Sequence, residues 1–239
     1  FVNLIRGISR HVVRFVEYEG ALYALKELPE RPARREYTLL RRLDGQGLPV
    51  VEAVGLVTER PDEMDAVLIT RHLDYSLPYR ALFSGHGVPD LRTHLLNGLA
   101  ELLARLHLRG FFWGDCSLSN ALFRRDAGAL SAYLVDAETG ELHGQLSDGQ
   151  RAYDLDIAQQ NVVGELLDVD AEVGLPPGLD PDETAEEIVH RYEQLWHELT
   201  RDESFAPDER YKLDERLHRL NELGFDVEEI RLDATPGGY

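Results

Sequence analysis

The chain runs to 239 residues, 43% of them hydrophobic, enough to bury a core as one bilobal domain or two small ones. It carries 44 Asp and Glu against 25 Lys and Arg, a formal charge of −19, and a single cysteine, Cys116. No run nears the roughly 18 apolar residues of a membrane span, and none reads as a signal peptide. The lone thiol excludes an internal disulfide and fits a reducing, cytoplasmic setting. A start at Phe1 rather than Met suggests a piece of something longer.

In chain order, residues 1–30 read as strands, Val2 to Ile8, Val12 to Tyr18 and Leu22 to Leu28, joined by short turns. From Arg31 the pattern turns helical, with Glu36, Leu39, Leu40 and Leu43 on one face and a stop at Gly45-Gln46-Gly47. Strands follow at Val50–Val57 and Ala66–Thr70, and Arg71 to Ser76 reads as an exposed connector. Residues 90–109 form a helix with a leucine stripe, ended by Gly110. A hairpin follows, then a Gly-rich stretch, a helix from about Tyr153 to Leu167, and a break at Gly174–Pro181. Two polar amphipathic helices, about 182–201 and 207–223, close the chain. Strands first and helices after make an α+β arrangement of two lobes.

Charge is unevenly spread along these elements. Residues 136–239 hold 28 acidic and 8 basic residues, a balance of −20, leaving 16 and 17, or +1, for residues 1–135. Such a surface repels nucleic acid and anionic lipid, so neither is an expected partner. It serves as a solubilising helical face, with a protein partner docking there as the alternative. The basic residues are informative in another way: 23 are arginines, and only Lys26 and Lys212 are lysines. A chain so biased keeps a Lys where a compact ammonium must reach between phosphate oxygens, which a broad guanidinium does poorly.

The most informative stretch is Trp113 to Asn120. It sets Asp115 and Asn120 five apart, after the long helix and before a hairpin whose far end carries Asp136. Asn120 to Phe123 and Ala132 to Val135 read as its strands, with Gly128 midway between Asn120 and Asp136. Antiparallel pairing then brings Asn120 and Asp136 to one end of the ribbon, beside Asp115. A carboxylate that takes an acceptor's proton, plus an amide and a second carboxylate to hold Mg²⁺, is what phosphoryl transfer requires. The scattered histidines show no close ligand spacing, so no zinc site is expected.

These residues resemble the protein-kinase-like superfamily. Ala24-Leu25-Lys26 is similar to its Ala-x-Lys strand, which implies Lys26 on the α- and β-phosphates of ATP and Ala24 against the adenine. Glu36 resembles the ion-pair partner of that lysine. Gly114-Asp115 with Asn120 resembles the catalytic loop, implying Asp115 as base and Asn120 as a magnesium ligand. Leu134-Val135-Asp136 resembles the strand that supplies the second metal ligand. Asp154 resembles an aspartate that holds the catalytic loop's backbone. Only Gly7 remains of a glycine-rich loop, where Ser9 and the backbone could cover phosphates. The resemblance implies a small β-rich N-lobe over 1–72 and a helical C-lobe over 73–170; the acidic helical extension over 171–239, which matches no part of that pattern, is expected to pack on the C-lobe.

Several departures narrow the branch. Trp113 stands where His is usual, Asp136 is followed by Ala137-Glu138, and Ser117 occupies a catalytic-loop position usually held by Lys. Ser117 and the short run from Asp136 to Asp154 resemble the RIO-like and lipopolysaccharide-kinase-like branches of bacteria. That likeness implies an atypical kinase with ATP and Mg²⁺ as its cofactors and a small-molecule, glycan or lipopolysaccharide-like hydroxyl as acceptor. Trp113 and the missing glycines leave a nucleotide-binding pseudokinase or regulatory scaffold as the alternative. His107, Trp113 and Cys116 read as packed structural residues, and Glu138 as a surface carboxylate, with a further metal ligand as its alternative.

Overall fold

The structure is a computed structural model that describes residues 11–61, 64–79, 91–126, 129–175, 179–202, 206 and 209–222. The chain divides into two compact units, Phe1–Glu193 and Gln194–Tyr239. Gly7, Ser9 and the expected strand over 2–8 lie outside the described residues.

The first unit begins with an antiparallel four-stranded sheet in the order β1-β2-β4-β3. Its strands are β1 (Val12–Tyr18), β2 (Ala21–Leu28), β3 (Ala53–Val57) and β4 (Ala66–Arg71). Glu19 and Gly20 both take positive φ (51° and 77°), the conformation of a two-residue hairpin turn. Lys26 pairs with Val13 on one side and Leu68 on the other. Because side chains alternate along a strand, Ala24 and Lys26 share one face of β2. Helix α1 (Glu30–Asp44) contacts β3 and β4 and buries Ala33, Glu36, Leu40 and Leu43. Glu36 is thus the polar member of an apolar stripe, and burial on that face demands a partner.

The expected strand from Val50 is shorter than its apolar run. Pairing with β4 starts at Ala53, and the register shifts between Ala53 and Gly55. Val50 instead makes a parallel bridge to Leu134, with Val51 N–H donating to the Leu134 carbonyl at 3.0 Å. This segment therefore ties the sheet to the hairpin.

Helix α2 (Leu91–Leu108) buries Leu95, Leu96, Leu99, Leu102, Leu103 and Leu106. It packs on the second strand of the hairpin, which consists of β7 (Ala121–Asp126) and β8 (Ala129–Leu134). A Cβ at Gly98 would meet the Leu130 carbonyl oxygen at 2.5 Å. Gly98→Ala should therefore cost about 1–3 kcal/mol in a denaturant titration, although Ala is the better helix former. Unchanged or raised stability would mean that helix and strand do not approach this closely.

Three two-residue strands complete the unit: β5 (Ser76–Leu77) on β7, and β6 (Phe111–Phe112) on β9 (Glu141–Leu142). β5 occupies the end of the expected connector 71–76. Two residues carry no visible alternation, so such strands leave no periodic signal.

Helix α3 (Asp148–Val173) starts well before the expected Tyr153. The reason is a capping box: Ser147 Oγ accepts from the Gln150 N–H (3.2 Å), and the Gln150 side chain accepts from the Ser147 N–H (2.9 Å). It ends at Gly174, with φ 79°. Helix α4 (Pro181–Thr200) buries Thr184, Ala185, Ile188 and Tyr192. In the second unit, the Arg216 guanidinium on α5 (Arg210–Glu222) donates to the carbonyls of Glu198 and Arg201, each at 2.8 Å. That satisfies carbonyls at the end of α4 which have no intrahelical partner. No helix among the described residues is long and apolar enough to cross a membrane.

Candidate active site

The hairpin differs from expectation by one residue. Ala121 pairs with Leu134, and Val135 N–H donates to the Asn120 carbonyl at 3.0 Å, so Asn120 lies opposite Val135 rather than Asp136. The expected turn ran from Arg125 to Gly128, whereas pairing continues to Asp126 and Ala129 and leaves two linking residues. A shorter link shifts the register by one. Asn120 and Asp136 still lie at the same end of the ribbon.

Lys26 is the centre of the charged cluster there. Its Nζ lies 2.9 Å from Glu36 Oε2, 2.6 Å from Asp136 Oδ2 and 3.3 Å from Glu138 Oε2. Burial alone would lower the lysine's pKa, but the Glu36 and Asp136 carboxylates outweigh it and hold the ammonium above its ordinary range. Burial and the charge of Asp136 push the Glu36 carboxyl up, and Lys26 opposes them. One ammonium faces three carboxylates, a surplus of negative charge that a divalent cation would relieve.

Glu138 corrects the sequence reading. It is no isolated surface carboxylate: besides Lys26 it meets His11 Nε2 at 2.9 Å, and its N–H donates to Asp136 Oδ1 at 2.9 Å. Oxygens of Glu36, Asp136 and Glu138 all lie within 4.8 Å of one another. The signal was present as Asp-x-Glu, two residues apart, where the chain turns just after the hairpin.

The loop from Trp113 to Asn120 is held from below by α3. Asp154 is fully buried, and its carboxylate accepts the N–H groups of Trp113 (2.6 Å) and Gly114 (2.8 Å). Gly114 takes φ 74°, a left-handed turn that aims the next residue, Asp115, into the cleft lining. One helical repeat on, Asn161 Nδ2 donates to Asp115 Oδ1 and to the Cys116 carbonyl, both at 3.1 Å. Next on the same stripe, Glu165 accepts the N–H groups of Leu118 (2.6 Å) and Ser119 (2.9 Å). The helix thus clamps the loop at three successive places.

Asn120 completes the loop. Its Nδ2 donates to the Asp115 carbonyl (3.0 Å) and Asp115 Oδ2 (3.1 Å), which commits the amide nitrogen and leaves its oxygen as the ligand atom. Ser117 Oγ accepts the Asn120 N–H at 3.3 Å, and Ser117 is buried while lining the cleft. Trp113 is fully buried, and its Nε1–H donates to the Asp136 carbonyl at 3.1 Å. The indole therefore joins the loop to the hairpin end.

His107 is buried too. Nε2–H donates to Asp154 at 3.1 Å, which leaves Nδ1 to accept the Tyr192 hydroxyl at 2.7 Å. Burial, with Asp154, Glu165 and Asp115 adding, pushes the Cys116 thiol well up, so it stays a packed thiol.

Of these residues Lys26, Glu36, Asp115, Ser117, Asn120, Asp136 and Glu138 line one cleft of about 1010 Å³, while Trp113, Cys116, His107 and Asp154 pack behind it. Val13, Ala24, Val51, Leu68, Leu122 and Val135 give the cleft apolar walls, which suit a flat heterocycle. The donor set available to a metal, an amide oxygen and carboxylates, is all hard oxygen and fits Mg²⁺ rather than zinc.

A model of the lipopolysaccharide kinase (Kdo/WaaP) family matches residues 18–163, more than half of the chain. The chain belongs to that family. Of the two branches that Ser117 resembles, the lipopolysaccharide-kinase-like one is therefore the match, and the family is one of kinase-like phosphotransferases. Residues 194–239 match a second model, a domain of unknown function (DUF4032). A solved structure of WaaP in complex with acyl carrier protein is similar at a TM-score of 0.54 and 18% identity. The match covers 92% of this chain and 87% of that one, and shows the two-lobe fold. No curated protein matches the chain.

Within this family member, Asn161 and Glu165 were not singled out from sequence. Polar residues on a long helix read as solvated, and nothing local marks them as facing a loop. Their one signal is spacing: Asp154, Asn161 and Glu165 recur at seven and four residues, flanking the buried Leu155, Ala158, Val162 and Leu166.

Proposed function

We propose that this chain transfers the γ-phosphoryl group of ATP to a hydroxyl of a lipopolysaccharide-like glycan. The observation that carries it is the convergence on one cleft of Lys26, Asp115, Asn120 and Asp136, which span 110 positions of sequence. The adenine lies between the apolar walls, against Ala24. Lys26, oriented by Glu36, neutralises the α- and β-phosphates. Asn120 Oδ1 and the Asp136 carboxylate would hold Mg²⁺, which when bound supplies charge neutralisation at the phosphates.

Asp115 takes the proton from the acceptor hydroxyl. That oxygen bonds to the γ-phosphorus, the bond from phosphorus to the β–γ bridging oxygen breaks, and ADP leaves with the electron pair. Ser117 acts within the catalytic loop by accepting the Asn120 N–H, fixing the backbone that presents both side chains. In this reading residues 1–72 cover the nucleotide, 73–170 carry the chemistry, and 171–239 form an acidic extension. A protein partner meeting that extension would be basic; the WaaP structure shows that a structurally similar kinase has been solved with a protein bound.

Incubation with γ-labelled ATP, Mg²⁺ and lipopolysaccharide core oligosaccharide should place label in the saccharide. Label recovered only as ATP and free phosphate would contradict a transferase.

A further inference from the structure

Helix α1 reaches the end of the hairpin through a second side chain, the neighbour of Glu36. The Arg35 guanidinium donates to the Gly140 carbonyl at 2.7 Å and lies 3.8 Å from Glu141 Oε1. Half of its side chain stays exposed, so burial does not account for its place. The carbonyl it reaches belongs to a tight turn. Gly140 N–H donates to the Ala137 carbonyl at 3.0 Å, which closes Ala137 to Gly140 directly after Asp136. The Thr139 hydroxyl donates to the Trp113 carbonyl at 2.9 Å, and buried Gly140 lies against the Phe111 ring, which a Cβ there would strike.

The contacts that reach this turn from the sheet and from α1 are of two kinds. Lys26 and His11 hold the carboxylates of Asp136 and Glu138, groups for which phosphates and Mg²⁺ would compete. Glu36 and Arg35 instead hold backbone, the Ala137 N–H and the Gly140 carbonyl. The Glu36 bond is long, at 3.4 Å, and that carboxylate is already committed to Lys26. The Arg35 bond is short and charge-assisted. Successive residues of a helix point about 100° apart, so the two contacts together oppose a roll of α1 that one alone would permit. Such a roll would swing Glu36 away from Lys26.

We propose that Arg35 is a positioning residue: its bond to the Gly140 carbonyl fixes the roll of α1 and keeps Glu36 and Lys26 aligned with Asp136. Its effect on rate rests on the phosphoryl-transfer reading above, whereas its effect on the docking of α1 does not.

The test compares wild type, Arg35→Ala and Arg35→Lys by hydrogen exchange and by single-turnover transfer from γ-labelled ATP to core oligosaccharide. In Arg35→Ala, peptides spanning α1 and residues 136–142 should exchange about tenfold faster, while α2 and α3 keep wild-type protection. Alanine is a better helix former than arginine, so faster exchange in α1 has to come from lost docking. Transfer should fall by about tenfold or more, and Arg35→Lys, which can still donate to the carbonyl, should recover most of it. On a Glu36→Gln background, Arg35→Ala should slow transfer further by no more than about twofold, because the alignment it protects is already lost. Wild-type exchange in both segments would overturn the inference, and so would unchanged transfer in Arg35→Ala or full additivity of the two rate losses. A wild type that transfers no phosphate, beside faster exchange in Arg35→Ala, would instead strike the phosphoryl-transfer reading and leave Arg35 as the anchor of α1.

Discussion

Asp115→Asn is expected to lower phosphoryl transfer by about a hundredfold to ten-thousandfold while leaving Mg-ATP affinity unchanged. An amide keeps the shape of the carboxylate and can still hydrogen-bond, but it cannot take a proton. The side chain is held on both oxygens, by Asn120 Nδ2 at 3.1 Å and Asn161 Nδ2 at 3.1 Å, so its aim into the cleft is defined before any substrate arrives. That preorganisation is why a single functional group should carry so large a share of the rate. Single-turnover transfer to the core oligosaccharide, beside calorimetry with nucleotide, measures both halves of the expectation. Turnover near the wild-type rate would remove Asp115 as the base.

The second large effect concerns stability. Asp154→Ala should cost about 3–5 kcal/mol, because it leaves buried donors without their acceptor. The fully buried carboxylate accepts from the Trp113 and Gly114 backbone and from His107, and His107 in turn holds Tyr192 on α4. Removing it therefore loosens the loop and uncouples α2 from α4 together. Urea denaturation measures the loss. A decrease below about 1 kcal/mol would mean that water or a repacked neighbour satisfies those donors at little cost.

Much of this arrangement was legible before any coordinates. The β1–β2 hairpin and α1 follow from alternation and from a helical stripe with clear stops, and Lys26 stood out because the chain otherwise uses arginine. The loop aspartate and asparagine were visible through their spacing. What stayed hidden has physical causes. The hairpin register turned on a two-residue link, and the position of Gly128 could not say how far pairing runs beyond Phe123. Glu138 looked like one acidic residue among many, although the turn that follows the hairpin folds it back beside Asp136. Asn161 and Glu165 belong to a helix whose polar residues, read locally, point only to solvent. Their meaning comes from the loop laid along the helix, a tertiary contact more than forty residues away in sequence.

Trp113 illustrates the same limit from the other side. As a departure from the usual histidine it argued for a scaffold that had lost its activity. In the structure its indole N–H reaches the Asp136 carbonyl and so links loop to hairpin, a task that needs a buried donor and no titration. The substitution is therefore compatible with a fully assembled cleft.

The most direct test is isothermal calorimetry of ATP with and without Mg²⁺, on the wild type and on Asp136→Ala. Asp136 faces Lys26 at 2.6 Å and, with Asn120, supplies the proposed metal ligands. Wild-type binding should tighten when Mg²⁺ is added, and Asp136→Ala should lose that dependence. Equal affinity with and without Mg²⁺ in both proteins would contradict a magnesium-dependent phosphotransferase.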